Sequence, residues 1–238
     1  MDFSESEHIA MIRDTVRKFI AREATPELLR KWDKEDHIPI EVHRKIGELG
    51  VCGLTVPEEY GGLGLDLIAM TAVIEELAKA HAVLAGMYIQ TVCYGGMNIT
   101  ASGSKKQKEE ILPRVAEGTI LFAYGLSEPN VGADLASVQT RAEMRGDKVI
   151  INGSKRWCSG ADVADYIILL VKSDQEAGRY KNLSFILVPP KTPGIAMTTV
   201  DTIGQHGSAT CDVSFDNVEV PAENILGGPE MWNKGWSQ

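Results

Sequence analysis

The chain has 238 residues and a formal net charge of −9, from 24 Lys and Arg against 33 Asp and Glu. Nucleic-acid binding needs a basic face that replaces the counterions of phosphate groups, so this acidic balance excludes it as a general function. Hydrophobic residues make up 44% of the chain, yet no apolar run approaches the roughly 20 residues of a membrane span. We therefore expect a folded protein of one or two domains without a membrane segment.

Helical signals dominate the first part of the chain. Ser4 and Glu7 have the spacing of a capping box, and apolar residues recur behind them at helical spacing. Pro39 and Gly50 are start and stop signals around a second helix. A glycine-rich loop separates it from a third helix, whose apolar face contains Met70, Val73, Ile74, Leu77 and Ala78. These patterns predict a helical N-terminal domain.

One interior helix and one shorter helix complete this domain. The stretch Ala82–Thr100 is apolar on nearly every side, which predicts a helix that is buried all round. Ser104 and Gln107 have capping-box spacing ahead of the shorter helix. Pro113 is expected to break or restart that helix, and Gly118 is expected to end it.

At about residue 119 the periodicity changes from helical to strand-like. A hairpin is predicted where Val138–Met144 and Lys148–Asn152 flank Arg145-Gly146-Asp147. The other predicted strands are Ile120–Leu126, Tyr166–Lys172, Ser184–Val188 and a stretch around Val213 and Phe215. Because a run of helices is followed by a run of strands, the predicted fold class is α+β with two segregated domains.

The most unusual stretch, YGLSEPNVGAD, runs from Tyr124 to Asp134. A predicted strand ends there in a turn rich in Pro, Asn and Gly, with a hydroxyl and two carboxylates nearby. Gly132 lets the backbone come close to a bound partner. Exposed N–H groups in such a turn can donate to the acceptor atoms of a planar ring or to phosphate oxygens. The alternative is an ordinary loop between strands with local hydrogen bonds.

A second stretch, NGSKRWCSG, covers Asn152–Gly160. Trp157 lies between two polar turns that contain glycine, where its indole could stack on a flat ligand. Ser159 could donate a hydrogen bond alongside it. The alternative is that Trp157 fills the core.

Metal binding and nucleophilic catalysis find little support in the sequence. The five histidines show no HxxxH or HExxH spacing, and the four cysteines form no CxxC, so no metal site is predicted. We expect four reduced, mostly buried thiols. Ser127 has no GxSxG context that would indicate a nucleophile.

Four motifs in order cover essentially the whole chain: Val56–Gly64 (VPEEYGGLG), Leu126–Asp134 (LSEPNVGAD), Asn152–Ser159 (NGSKRWCS) and Phe215–Gly227 (FDNVEVPAENILG). Together with the helix-then-strand layout, they resemble the acyl-CoA dehydrogenase family. The resemblance is specific, because one such motif is modest evidence whereas four with this spacing are strong.

The resemblance implies a division of the chain into three parts. Residues 1–118 would be the N-terminal all-α domain, and residues 119–227 a small antiparallel β-barrel domain that faces a flavin. Residues 228–238 would begin the linker to a C-terminal helical domain that lies beyond this chain.

The resemblance also implies FAD as cofactor and assigns residues to it. Backbone groups of the first stretch would bond the edge of the isoalloxazine, favouring negative charge on reduced flavin. Trp157 would screen one ring face, and Ser159 would bond near the reactive edge. The implied cofactor-binding residues are Tyr124, Gly125, Leu126, Ser127, Gly132, Trp157, Cys158 and Ser159. Ala133 stands at a substrate-binding position where the family has Ser or Thr, and it cannot donate a hydroxyl hydrogen bond.

The implied activity is α,β-dehydrogenation of an acyl-CoA thioester in fatty acid or amino acid catabolism. A base removes the α-proton while a hydride leaves the β-carbon for the flavin, and electrons pass to an electron-transfer flavoprotein. The family's base is a Glu expected beyond Gln238, so no catalytic residue is assigned here. Glu128 and Asp134 are implied to be structural parts of the turn. We therefore expect residues 1–238 to have little activity by themselves.

The resemblance implies a homo-oligomer, a dimer or tetramer, for the full-length protein. The acidic N-terminal segment shows no transit peptide, so the expected compartment is the bacterial cytoplasm, with a processed mitochondrial matrix chain as the second option. Two other functions remain open. The first is a flavin-dependent monooxygenase or nitroalkane-oxidising enzyme of the same fold. The second is a non-catalytic partner subunit of a split enzyme.

Overall fold

The computed structural model describes residues 5–237. These residues form two compact units, and each unit is assembled from separate stretches of chain. The first unit, mainly helical, contains residues 5–97, 109–120 and 203–208. The second unit, mainly β, contains residues 98–108, 121–202 and 209–237. In the described part of the chain, no helix combines the length and apolarity needed to cross a membrane.

The helices follow one another over the first 116 residues. They are α1 Glu7–Glu23, α2 Pro26–Glu35, α3 Ile40–Gly47, α4 Leu67–Ala80, α5 Ala82–Ile89, α6 Asn98–Ser102 and α7 Lys105–Ala116. A π-helical segment, Gln90–Met97, connects α5 to α6. Two short strands, β1 Thr55–Val56 and β2 Gly64–Leu65, pair antiparallel in the loop before α4.

Side-chain caps define where several of these helices begin, α1, α2 and α4 among them. The N-cap of α1 is Ser6, whose side chain accepts from the backbone N–H of Ile9. The predicted capping residue, Ser4, lies outside the described residues. Thr25 caps α2, a helix that the sequence patterns did not predict, and Asp66 caps α4. In each case an oxygen satisfies an N–H group that has no partner within the helix.

One expectation about the later helices is wrong and two are confirmed. The interior helix is present over Ala82–Thr100 and is mostly buried, with a π-helical middle between α5 and α6. Pro113 lies inside α7 without ending it; its missing N–H removes one helical bond, and the remaining bonds carry the helix to Ala116. The capping box is confirmed, since Ser104 and Gln107 exchange backbone-to-side-chain hydrogen bonds of 3.0 and 3.2 Å.

Apolar stripes and one ion cluster hold the helical unit together. α1 packs against α4, and α4 against α5. Between α1 and α4, Glu76 is buried and accepts from Arg13 at 2.9 Å and from Arg17 at 2.8 Å. The Arg17 hydrogen bond is the main cause that lowers the pKa of Glu76 to about 2. The fully buried core residues include Val16, Ile46, Val73, Leu77, Leu84 and Tyr88.

The second unit is built on a seven-stranded sheet. Its strands are β3 Phe122–Gly125, β4 Arg141–Arg145, β5 Lys148–Ser159, β6 Tyr166–Lys172, β7 Leu183–Val188, β8 Ile195–Thr199 and β9 Thr210–Pro221. Their order is β3-β6-β4-β5-β9-β8, with β7 on β6. The predicted class, α+β with a helical region before a mostly antiparallel β region, is confirmed.

The sheet departs from an all-antiparallel barrel at β6. This strand runs parallel to β3, with Phe122 opposite Tyr166, and meets β4 in parallel at Arg141 and Lys172. The chain reverses direction twice between β3 and β6, so β6 returns in the same direction as β3. The hairpin of β4 and β5 is confirmed in register from Arg141–Asn152 to Arg145–Lys148.

Candidate functional site

The turn after β3 is closed by its own backbone. Glu128 N–H donates to Val131 O at 2.8 Å, and Val131 N–H donates back to Glu128 O at 3.1 Å. Gly125, just before the turn, lies close to the side chains of β6, because a Cβ there would lie 2.7 Å from Leu169 Cδ1 and would force that side chain to shift. The turn therefore leaves β3 at a position where the backbone packs tightly on β6.

The side chain of Glu128 ties this turn to the rest of the sheet. Its Oε2 accepts from Gln139 N–H at 2.7 Å, and its Oε1 accepts from Thr140 N–H at 2.8 Å. Lys155 Nζ lies 2.9 Å from the same Oε1 and also donates to Leu126 O at 3.1 Å. Both side chains are buried, with 0% of Lys155 and 6% of Glu128 exposed.

The electrostatics of this pair follow from its burial. Burial lowers the pKa of Lys155, and the negative charge of Glu128 opposes that shift. Burial alone would raise the pKa of Glu128, but Lys155 and the N–H groups of Thr140 and Gln139 outweigh it, and the net shift is downward. Two opposite charges in contact therefore lie beneath the turn.

The second stretch meets the first through the backbone. Arg156 N–H donates to Ser127 O at 2.8 Å. The pairing of β5 with β9 shifts register between Lys155 and Cys158, which marks a bulge. Within it, Trp157 has φ of 65°, a left-handed conformation that is rare for a bulky residue, and its side chain is 52% exposed. The core-filling alternative for Trp157 is therefore wrong.

The guanidinium of Arg156 lies over the indole of Trp157, 4.7 Å from the ring centroid. The structure thus joins the two stretches that sequence reasoning singled out separately. An outward-facing aromatic ring lies immediately beyond the backbone contact between them.

Cys158 and Ser159 differ in accessibility although they are neighbours. Cys158 is fully buried in the β-unit core opposite Cys211, and burial raises the pKa of its thiol to about 12. The thiol of Cys158 therefore belongs to the core and is not available to a ligand. Ser159 is half-buried, and its Oγ lies 3.1 Å from Thr210 Oγ1. All four cysteines are free, and three of them are buried.

The remaining predicted residues lie along the same turn. Tyr124 is half-buried, and its hydroxyl accepts from Asn98 Nδ2. Gly132 and Ala133 are exposed. Asp134 follows them, and its pKa is lowered by the hydroxyl of Ser137 and by Arg179, which pairs with its carboxylate.

The donor set fits a flat heteroaromatic cofactor. It combines an exposed indole at Trp157, hydroxyls at Ser127 and Ser159, and a turn backbone without bulky side chains at Gly132 and Ala133. Aromatic rings stack on such cofactors, and hydroxyl and N–H groups bond their edges. Residues 5–237 contain no cluster of three or more His, Cys, Asp or Glu side chains that could hold a metal ion.

Sequence reasoning missed several partners of the site. Lys155 lies within the second motif, but no local pattern shows that it pairs with a carboxylate 27 positions earlier. Thr210 and Arg179 likewise reach Ser159 and Asp134 across long stretches of sequence. These contacts arise from strand pairing and from a loop. The only signal for them in the sequence is the presence of residues with an opposite charge or a hydroxyl group, which does not show which residues pair.

Comparison with known proteins gives matches along most of the chain. The family model described as acyl-CoA dehydrogenase, N-terminal domain, matches residues 6–119. The model described as acyl-CoA dehydrogenase, middle domain, matches residues 123–218. A glutaryl-CoA dehydrogenase of Desulfococcus multivorans is 36% identical over 232 residues, which are 96% of this chain and 59% of that protein.

Solved structures agree with these matches. A chain from a structural study of the electron transferring flavoprotein of Acidaminococcus fermentans has a TM-score of 0.91 and 33% identity, over 100% of this chain and 61% of that one. A glutaryl-CoA dehydrogenase from Mycobacterium smegmatis in complex with FADH2 has a TM-score of 0.84 and 28% identity, over 93% of this chain and 56% of that one.

This chain therefore spans about 60% of the length of these relatives. The two family models match both the helical and the β part, and the structure brings the second and third motifs into contact. The chain belongs to the acyl-CoA dehydrogenase family.

Proposed function

We propose that this chain binds FAD for the α,β-dehydrogenation of an acyl-CoA thioester. The observation that carries the proposal is the contact between the two motif stretches at Ser127 and Arg156, with the exposed indole of Trp157 next to it. FAD, when bound, supplies the acceptor for the hydride from the β-carbon. Membership of the family supports the reaction class.

The proposed roles follow from where the residues lie. The backbone of Gly125, Leu126 and Ser127 would bond the ring edge, and a rigid turn keeps those groups oriented before the cofactor arrives. Trp157 would cover one ring face, which excludes water from it. Ser159 would bond near the reactive edge, with its hydroxyl oriented by Thr210.

The two carboxylates of the turn are poorly suited to act as the base. Both oxygens of Glu128 already accept hydrogen bonds, and the carboxylate is buried against Lys155. Asp134 pairs with Arg179 and accepts from Ser137 Oγ at 2.6 Å. A base needs a free lone pair within reach of the substrate proton, so we assign proton abstraction to a carboxylate outside this turn.

We further propose that electrons pass to an electron-transfer flavoprotein. The similarity to a chain from the Acidaminococcus fermentans study supports this partner class. Assembly as a dimer or tetramer and the bacterial cytoplasm stay predictions from the sequence.

FAD binding can be tested by titrating the apo chain and following flavin fluorescence. Trp157→Ala should weaken FAD binding about tenfold, because an aromatic stack is worth roughly 0.5–1.5 kcal/mol beyond its buried area. Trp236→Ala is the matched control, since Trp236 is also 52% exposed but lies outside the two stretches. Equal weakening by both variants, or no binding by the parent chain, would count against the proposal.

The reaction class can be tested by anaerobic bleaching of the bound flavin with a panel of acyl-CoA thioesters. Loss of a general base costs roughly 10²–10⁴-fold, so residues 1–238 by themselves should bleach slowly. Rapid bleaching would show that these residues contain the base and would contradict the expectation, drawn from the family resemblance, that the base lies outside residues 1–238. Turnover that depends on oxygen after chemical reduction of the flavin would instead favour the monooxygenase alternative.

A further inference from the structure

Two opposite charges, Lys155 and Glu128, are buried within the β unit. Their side chains are 0% and 6% exposed, and the Nζ and Oε1 atoms lie 2.9 Å apart. Removing two charges from water is costly, and a pair of apolar side chains of similar volume is often as stable or more stable. Stability of the fold is therefore a weak explanation for this pair.

The hydrogen bonds of the pair end at the turn that carries the candidate site and at the segment that leads into β4. Lys155 Nζ donates to Leu126 O, the first residue after β3. Glu128 accepts from the backbone of Gln139 and Thr140, which lead into β4. Thr140 Oγ1 in turn donates to Ser154 O at 3.0 Å, next to Lys155. The pair thus connects the turn, the entry to β4 and the middle of β5.

The position of Lys155 within β5 places it at the start of the bulge. The register of β5 against β9 is regular from Gly153 to Lys155 and resumes at Cys158, so Arg156 and Trp157 form an irregular part between them. Arg156 N–H reaches back to Ser127 O. A displacement of Lys155 would therefore move both the start of the bulge and the turn it contacts.

We propose that Lys155 and Glu128 are positioning residues that hold the turn of residues 126–134 and the Trp157 bulge in one fixed arrangement. The two charged side chains bond the backbone on either side of the site, and each keeps the other from being buried without a partner. The consequence for FAD binding rests on the function proposed above, whereas the fixed arrangement itself does not.

The test compares three variants of the full 238-residue chain. Lys155→Met removes the positive charge at nearly constant volume and leaves Glu128 unpaired. Glu128→Gln replaces one accepting oxygen with an NH₂ group, which cannot accept from Gln139 or Thr140. The double variant, Lys155→Met with Glu128→Gln, removes both charges and thus relieves the penalty of an unpaired buried ion.

A matched control uses an exposed ion pair between the same two strands that form the bulge. Lys148 Nζ lies 2.9 Å from Glu219 Oε2, and these side chains are 57% and 54% exposed. The control variant carries Lys148→Met and Glu219→Gln. It removes one positive charge from β5 and one negative charge from β9, both away from the turn.

Three measurements distinguish positioning from stability alone. The free energy of unfolding, measured in urea, should be lower in each single variant than in the parent chain. It should be partly recovered in the double variant. Hydrogen exchange of the apo chain, in peptides covering residues 126–134 and 154–159, should be about tenfold faster in the single variants and stay faster in the double variant. FAD affinity should fall about tenfold in the same three variants and remain unchanged in the control.

The proposal would be overturned if the double variant regained the parent's slow exchange and FAD affinity along with its stability. The pair would then act only through stability. Unchanged exchange in the single variants would overturn it as well. If the parent chain binds no FAD, the proposed function fails, and the exchange measurements still decide the positioning role.

Discussion

At the residue scale, His43 in α3 is a buried imidazole that the structure keeps neutral. Its Nε2 lies 2.9 Å from Thr91 Oγ1, whose hydroxyl donates to Ile120 O at 2.9 Å. Because that hydroxyl hydrogen is already used, Nε2 carries the hydrogen and donates to Thr91. Nδ1 is buried with no hydrogen-bond partner in residues 5–237. Burial, and then the charge of Arg44, lower the pKa of His43 to about 4.

This lowered pKa predicts a pH dependence of stability. Between pH 6.5 and 4 the unfolded chain takes up a proton at His43 that the folded chain does not. The contribution of His43 to the free energy of unfolding is therefore fully present above pH 6.5 and is lost on acidification. The loss should reach about 3 kcal/mol near pH 4. Urea unfolding at pH 7, 5.5 and 4.5 would measure it, with His43→Gln as the comparison. An equally steep fall in that variant would contradict the assignment.

At the element scale, Gln107 in the first turn of α7 binds the segment that follows β9. Its Nε2 donates to Glu223 O at 2.9 Å and to Ile225 O at 2.8 Å. Its Oε1 accepts from Gly227 N–H at 3.0 Å, in addition to the capping bond from Ser104. The side chain is buried and uses its full capacity of two donors and two accepting lone pairs.

Gln107→Ala should therefore destabilise the chain by roughly 2–4 kcal/mol, because it leaves several buried backbone groups without partners. Chemical denaturation gives the size of the loss. Glu110→Ala on the same helix is the control, because Glu110 is exposed, and it should change stability by less than about 0.5 kcal/mol. Similar losses in both variants would mean that the loss comes from the helix and not from the four hydrogen bonds.

At the scale of the whole molecule, the chain returns to the helical unit long after leaving it. Residues 203–208 belong to that unit. Gly207 N–H donates to Asp36 Oδ1 at 2.7 Å, across 171 positions of sequence, and Ile38 N–H donates to Gly207 O at 2.9 Å. Gly207 has φ of +113°, and a Cβ there would lie 2.8 Å from Ile38 Cγ1.

This long-range contact predicts that Gly207→Ala loosens the start of α3. The strained backbone and the close contact should cost about 1–2 kcal/mol and speed hydrogen exchange in residues 36–43. Gly204→Ala is the control in the same loop, because its φ is not in the left-handed region and no atom lies within 4 Å of its Cβ position. Unchanged exchange in Gly207→Ala would contradict the prediction.

Elements with a strong local signal were predictable. β6 was predicted with the bounds that the structure shows, because an apolar run of strand length is bounded by polar residues. The capping box of Ser104 and Gln107 was also predicted, since it depends on residues three apart. By contrast, α2 and β8 were missed: α2 buries only Trp32, and β8 has no fully buried residue. The predicted domain boundary at 118 and 119 stays a prediction.

For the candidate site, the sequence by itself determined which two stretches matter and which family they resemble. Their residue types are local facts: a turn of Pro, Asn and Gly, and a Trp between polar neighbours. Only the tertiary structure decided that the stretches touch at Ser127 and Arg156, that Trp157 faces outward, and that Lys155 pairs with Glu128. The reason is physical, because strand register and the position of the bulge set which backbone groups and charges meet, and both depend on packing across the whole sheet.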